Sequence, residues 1–324
     1  MQLNIERMIR IFLFTVSMIY LSIGSLAQKQ PIELGEVHWL RDYDQALQQS
    51  AASKKPVLIL FQEIPGCSTC QRFGKEVMSQ PLLVEAIEQF FVPLAIYNNR
   101  QGKDAEVLRM FQEPAWNNPV VRIVDQEGRN LTGRVSGNYT PGAVVNAMVE
   151  VLQRSKVHLP GYLQLLQEEL SASTPATKTY QMYCFWSGEK LFGGTAGVLQ
   201  TRAGFQQGHE VVQVTYDPGQ LSEKALDRVA QSGSCSTVVG GSFRDDREPK
   251  YYLTHSEYRF IPMSELQASR VNSLLGSGKD PREWLSPQQL RWLQDIQAHP
   301  KNNRKSWVQQ DLQEGWKTMR KADL

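Results

Sequence analysis

Four cysteines carry most of the chemistry open to this sequence, and they sit in unlike settings. Cys67 and Cys70 form a Cys-Ser-Thr-Cys motif after the loop Gln62-Glu-Ile-Pro-Gly66, and Cys67 to Ser79 has helical character. A thiol at the first position of a helix meets the partial positive charge of unpaired amides, which lowers its pKa. Such a thiolate attacks disulfides, and Cys70, one turn later, can resolve the mixed disulfide. The competing reading of the motif is a stabilising disulfide in a redox-inert domain. Cys184 heads a second short helical stretch, closed by Gly193-Gly194, and is followed at once by Phe185 and Trp186. Cys235 lies in Ser232-Gly-Ser-Cys-Ser236 and belongs to no second CxxC, so the two knuckles of a four-cysteine zinc site are not present. No flavin, nicotinamide or metal motif occurs.

The elements that must position these thiols divide into two groups. A chain of 324 residues with 41% apolar content exceeds what one core usually organises, so two domains are expected. The formal charge of +2, with both signs interspersed, leaves no basic face for nucleic acid. Arg7 and Arg10, the apolar run Ile11 to Ile23 and the small residues Ser25 and Ala27 read as an export signal over 1–27, cut after Ala27. The alternative is an uncleaved anchor, although the run is shorter than the roughly 20 residues that span a bilayer comfortably. The expected location is periplasmic or otherwise extracytoplasmic, where thiols meet oxidants and dedicated reductants.

From about Val37 to Arg154, strand-like and helix-like runs alternate as in an α/β layer structure. A helix is predicted from Tyr43 to Ala52, a buried strand over Pro56 to Phe61, and further strands over Phe91 to Tyr97 and Val120 to Val124. A turn at Asp125 to Gly128 is predicted to lead into another strand, and a helix to cover Pro141 to Leu152. This order, with CxxC opening a helix and Pro119 opening a later strand, resembles the thioredoxin superfamily. The resemblance implies a cis bond at Pro119, facing the redox pair. The family's usual Trp before the first cysteine is Gly66 here.

After a short helix over Pro160 to Leu170 and the linker-like Ser171 to Thr177, a strand Thr179 to Tyr183 delivers Cys184. Cys184-Phe185-Trp186, Glu189, Phe192, Gly197-Val198, Thr201 and Gly204-Phe205 resemble MsrA-type peptide methionine-S-sulfoxide reductases, as do Gly208 to Pro218 and the helical Leu221 to Ala230. The resemblance implies a ferredoxin-like core and gives each residue a role. Cys184 is the nucleophile on the sulfoxide sulfur. Phe185 and Trp186 hold the S-methyl group, aromatic faces contacting polarisable sulfur favourably. Glu210, partly desolvated so that its pKa rises, donates a proton to the departing oxygen while a sulfenic acid forms on Cys184. Cys235, in a glycine- and serine-rich segment that is expected to be mobile and departs from the family's usual pattern, is the candidate to resolve it. Taken singly, Cys184 could pack inertly, Glu210 could be a solvated strand residue, and Cys235 could be a free or structural thiol. His209 reads as a turn residue.

This sequence departs from the family in lacking the longer loop, with its oxygen-binding tyrosine, between Phe205 and the glutamate strand. Tyr251, Tyr252 and Tyr258 could supply the hydroxyl, and Tyr258, before Arg259, fits best. Beyond Leu275 the chain turns helical and polar, with a helix capped by Ser286-Pro287 and running to about Gln297. Trp284, Trp292, Trp307 and Trp316 are expected to pack this tail onto the reductase-like domain. The expected organisation is a thioredoxin-like domain over 36–156, helix and linker over 157–178, an MsrA-like α+β domain over 179–275 and a helical tail over 276–324. The expected function is an exported methionine-S-sulfoxide reductase acting on free, peptide or protein substrate. Across a short flexible linker the CxxC domain recharges it, and an external thiol reductant serves the whole. The alternative is a general exported thiol-disulfide oxidoreductase whose MsrA-like half only binds.

Overall fold

The first sheet is built from the buried apolar runs that the sequence marks as strands. In the computed structural model, which describes residues 30–322, β1 (Val57–Gln62) is buried along its whole length. It pairs in parallel with β2 (Val92–Tyr97) and antiparallel with β3 (Val120–Val124), giving the order β2-β1-β3. Strands buried on both faces read as continuous hydrophobic runs, which is why these were legible. Helix α1 (Tyr43–Ser53) starts at Asp42, whose side chain accepts from the Gln45 amide. Helix α2 (Ser68–Arg72) carries Cys67 at its cap and continues as a wider turn over Phe73–Val77. Next come α3 (Pro81–Phe90), α4 (Lys103–Met110) and α5 (Pro141–Arg154).

No strand follows the turn at Asp125 to Gly128. Beyond it the chain touches β3 only through isolated bridges, Val124 to Asn130 and Val121 to Val135. The residues between them include Gly133 and Arg134, and Arg134 is drawn to the buried carboxylate of Glu113 at 2.6 Å, which also holds Arg122. The pairing is therefore interrupted. The expected export segment lies outside the described residues. Among the described residues no helix is long and apolar enough to cross a membrane.

The second sheet has the order β7-β4-β6-β5-β8, built from β4 (Ala176–Gln181), β5 (Val198–Gln206), β6 (His209–Tyr216), β7 (Ser236–Thr237) and β8 (Arg244–Asp245). Helices α7 (Phe185–Gly193) and α8 (Glu223–Ser232) belong with it, and the single turn α9 (Tyr251–Thr254) follows β8. The shortened loop between β5 and β6 is a two-residue turn with Gln207 at φ 53° and Gly208 at φ 83°. Positive φ at both central residues matches a tight turn to the right-handed twist of the strands.

The short helix expected over Pro160 to Leu170 forms, and it makes the seam between the halves. Helix α6 (Gly161–Ser171) packs on α5 and on α10 (Glu265–Gly276). Its Glu168 accepts from the Gly197 amide at 2.7 Å, and Glu169 accepts from the Leu266 amide at 3.3 Å, in the first turn of α10. Burial holds the Glu169 carboxyl above its ordinary pKa. One apolar cluster runs from Leu83, Val145 and Met148 of the first half through Tyr162 to Val271, Trp292 and Trp316. The residues from Ile32 onward accordingly form one compact unit.

The tail helices, α11 (Pro287–Ala298) and α12 (Leu312–Ala322), also differ from expectation in where they pack. Trp292 and Trp316 meet edge to face at 4.8 Å and join the cluster that contains α3, and the Gln288 amide donates to Glu85 of α3 at 2.6 Å. The tail thus leans on the thioredoxin-like half and not only on the reductase-like one. A cavity of about 450 Å³ lies along this seam, lined by Val84, Glu85, Arg291 and Trp316 and by no cysteine. Trp292 is 2% exposed, and truncating a buried tryptophan costs about 3–5 kcal/mol. Calorimetry of Trp292→Ala is expected to show one cooperative transition at lower temperature. Two transitions, one of them unmoved, would show that the halves fold independently.

Candidate functional site

The first thiol centre is assembled where β1 ends. Buried Gln62 donates from Nε2 to the Glu33 carbonyl at 2.9 Å and to the Cys70 carbonyl at 3.3 Å, fixing the start of the loop to α2. Glu33 in turn accepts from the Gly66 amide at 2.8 Å. A Cβ at Gly66 would stand 2.4 Å from the Glu63 carbonyl oxygen and 2.6 Å from Cys70 Cβ, so the loop excludes the tryptophan that the resemblance leads one to expect. Cys67 is exposed and Cys70 buried, both as free thiols, with their sulfurs 3.5 Å apart. The backbone amide of Cys70, and after it the Cys70 thiol and the Thr69 amide, hold the Cys67 thiol below its ordinary pKa. Burial pushes Cys70 the other way, up to about 12. The Asn118–Pro119 bond is cis, and Asn118 Oδ1 accepts from Cys70 Sγ at 2.7 Å, which sets the Pro119 segment against the pair.

The second centre forms where β4 hands over to α7. The Met182 amide donates to the Glu210 carbonyl at 3.2 Å, extending the pairing of β4 with β6 as far as the entry to Cys184. Cys184 then caps α7 in extended conformation, and Glu210 Oε2 accepts from the Phe185 amide at 3.2 Å. Glu210, half-buried, therefore sits at the positive end of the helix that Cys184 begins. It lies directly across the hairpin from Phe205, whose ring meets Phe185 edge to face at 5.4 Å. Phe185 stacks on Trp186 at 5.6 Å, and Trp186 stacks on Tyr251 at 3.9 Å and 20°. The indole Nε1 donates to Asp246 at 3.3 Å.

Cys235 comes to the same end of the sheet. The register Gln181 to Ser236, carried one step further, sets Cys235 beside Met182, two residues before Cys184. Ser234 and Ser236 share an open depression of about 410 Å³ with Met182, Tyr183, His209 and Glu210. The turn is tied down, the Cys235 amide donating to the Ala230 carbonyl at 2.9 Å, and burial holds its thiol above the ordinary pKa. His209 is exposed and Tyr183 is 100% exposed at the rim.

Tyr258 does not join this group. It is 8% exposed within the cluster shared by both halves, and apart from burial the charges acting on its hydroxyl are Asp280, Arg282 and Glu257. The tyrosines at the site are Tyr251 and Tyr252. Tyr252 is held above its ordinary pKa first by burial and then by its neighbours Cys184 and Tyr251. Their segment is anchored by Lys250, 0% exposed at φ 52°, which donates to the Thr201 carbonyl and lies 3.6 Å from Glu189 of α7, also 0% exposed. Burial holds Glu189 above its usual pKa against the pull of Lys250. Lys250, Asp246, Tyr251 and Tyr252 all fall in a stretch without strand or helix periodicity; the adjacent Tyr251-Tyr252 pair was its one visible signal.

Residues 38–126 match the Thioredoxin-like family model. They form a thioredoxin-like domain. The chain is 38% identical to a peptide methionine sulfoxide reductase of Drosophila melanogaster, over 18% of this chain and 32% of that protein. It is 40% identical to the peptide methionine sulfoxide reductase MsrA of Methanoculleus marisnigri, over 15% of this chain and 40% of that one. The chain thus spans a third to two fifths of the curated relatives it matches. Among solved structures, the DsbH oxidoreductase matches with a TM-score of 0.32 and 20% identity over 41% of this chain and 96% of its own. A thioredoxin from Thermus thermophilus matches with a TM-score of 0.30 and 23% identity over 37% and 87%.

The asymmetry of the CxxC pair gives a direct expectation. In the reduced protein near neutral pH, iodoacetamide will label Cys67 well ahead of Cys70. The Cys67 rate will fall only as pH drops through its lowered pKa, while Cys70 stays unreactive until the protein is denatured or the pH approaches about 12. Mass-spectrometric mapping that found equal labelling would contradict the assignment.

Proposed function

We propose that this protein is a methionine-S-sulfoxide reductase recharged by its own thioredoxin-like domain. The observation that carries the reading is the contact of Glu210 with the Phe185 amide directly after Cys184, beside an aromatic wall of Phe185, Trp186 and Tyr251. Partial matches to peptide methionine sulfoxide reductases support it. The aromatic faces take the S-methyl group and bring the sulfoxide sulfur onto Cys184 Sγ. Glu210 supplies a proton to the sulfoxide oxygen, and Tyr252 donates a hydrogen bond to it in place of the missing loop tyrosine. The net step moves one oxygen atom: sulfoxide and thiol become thioether and sulfenic acid.

Cys235 then condenses with the sulfenic acid, releasing water and forming a Cys184–Cys235 disulfide. Cys67 thiolate attacks that disulfide, forming a mixed disulfide and releasing one thiol of the pair, and Cys70 then attacks the mixed disulfide, releasing the other thiol and closing the Cys67–Cys70 disulfide. An external thiol donor, acting outside the cytoplasm where the N-terminal segment would send the protein, returns Cys67 and Cys70 to the reduced state. Because the halves share one core, this transfer depends on packed geometry and not on a free tether.

Single-turnover reduction of a peptide bearing methionine-S-sulfoxide by the pre-reduced protein tests the reading. Cys184→Ser is expected to give no product. Glu210→Gln is expected to slow the step by roughly 10²–10⁴-fold, the usual contribution of a positioned general acid. Tyr252→Phe is expected to slow it less. Undiminished product from Cys184→Ser would remove the reductase and leave disulfide exchange at Cys67 as the activity.

A further inference from the structure

Glu63 has no part in the relay, yet it is placed with the redox pair. A Glu63 carboxylate oxygen, Cys67 Sγ and Cys70 Sγ all lie within 4.8 Å of one another. A carboxylate beside a nucleophilic thiolate opposes its charge. Those same three atoms form a donor set that suits a cation. We propose that the reduced CxxC centre is also a binding site for a thiophilic divalent cation, zinc foremost, held by Cys67 Sγ, Cys70 Sγ and a Glu63 carboxylate oxygen.

The spacing of the sulfurs selects the geometry. They stand 3.5 Å apart. Zinc–sulfur bonds of about 2.3 Å at a tetrahedral angle set two sulfurs about 3.8 Å apart, so small side-chain rotations suffice. A linear two-coordinate cation would need roughly twice one bond length, about 4.6 Å at the same bond length. Two thiolates and one carboxylate leave a fourth position for water. Cys70 is buried, Glu63 half-buried and Cys67 exposed, so the three donors form a socket closed behind and open to solvent in front. The absence of a second knuckle rules against a four-cysteine site but not against this one, which needs a single knuckle and a neighbouring carboxylate.

Binding displaces two thiol protons to solvent and moves no electrons. The occupied pair cannot form its disulfide, so the cation would hold the thioredoxin-like domain reduced and out of exchange. The inference is independent of the chemistry at Cys184.

Cobalt(II) titration of the reduced, metal-stripped full-length protein tests it, because thiolate ligation gives an intense charge-transfer absorption that carboxylate and water do not. One equivalent is expected to bind with two-thiolate intensity, in wild type and equally in a Cys184→Ser, Cys235→Ser double variant, and zinc is expected to displace it. Cys67→Ser is expected to abolish the band; the residue is exposed, and far-UV circular dichroism checks that the variant folds. Glu63→Gln is expected to weaken binding by at least the roughly 10-fold that loss of even an outer-shell partner costs a metal site. Zinc is also expected to slow oxidation of Cys67 and Cys70 by a small disulfide in wild type. No charge-transfer band, a band that survives Cys67→Ser, or affinity unchanged in Glu63→Gln would each overturn the proposal.

Discussion

The hydrogen bond from the Phe185 amide to Glu210 fixes the part of the molecule on which the functional reading depends. A helix N-terminus offers about half a positive charge and a few unpaired amides. Here two acidic groups from different elements share it: Cys184 as the capping residue and Glu210 from the neighbouring hairpin. That arrangement requires β4 and β6 to run in register as far as Met182, and it requires the turn at Gln207 and Gly208 to be tight enough to bring Glu210 back to Phe205. The shortened loop thus leaves Glu210 at the start of the helix that Cys184 caps. The segment from Asp246 to Tyr252 packs on Trp186, through the Asp246 hydrogen bond and the Tyr251 stack.

The same logic appears at Cys67, where a strand end, a fixed loop and a helix start place a thiol among backbone amides. The two centres differ in what surrounds them. Cys67 and Cys70 are separated by burial into an accessible thiol and a withheld one. Cys184 is flanked by aromatic faces that suit a thioether more than a disulfide. The two halves meet in one cluster through α6, α11 and α12, which gives up the freedom of a tether, while the Cys184 centre packs in a cluster of its own.

Much of this was legible in the sequence where one local rule decides the outcome. Buried strands showed as apolar runs, Ser286-Pro287 marked a helix start that the structure completes with a capping box, and Pro119 marked the segment that faces the thiols. Long-range partners were not legible. The tail tryptophans announce burial but not against what, and only the folded chain shows Trp316 beside α3. Tyr258 was preferred over Tyr252 because Arg259 follows it, whereas the choice is made by Lys250, whose ammonium is drawn into the core by Glu189 and Thr201, carrying Tyr251 and Tyr252 to the site. Such a buried ion pair joins residues 61 positions apart and leaves no periodic trace. The strand expected after Asp125 failed for a similar reason, the pull of Glu113 on Arg134.

The central claim is that electrons pass from Cys67 and Cys70 through Cys235 to Cys184. Its most direct test is a disulfide map by mass spectrometry after one turnover of a methionine-S-sulfoxide peptide, comparing wild type with Cys67→Ser. The account predicts a Cys67–Cys70 disulfide in wild type and a trapped Cys184–Cys235 disulfide in the variant. Product formation with Cys184 and Cys235 never joined would contradict it.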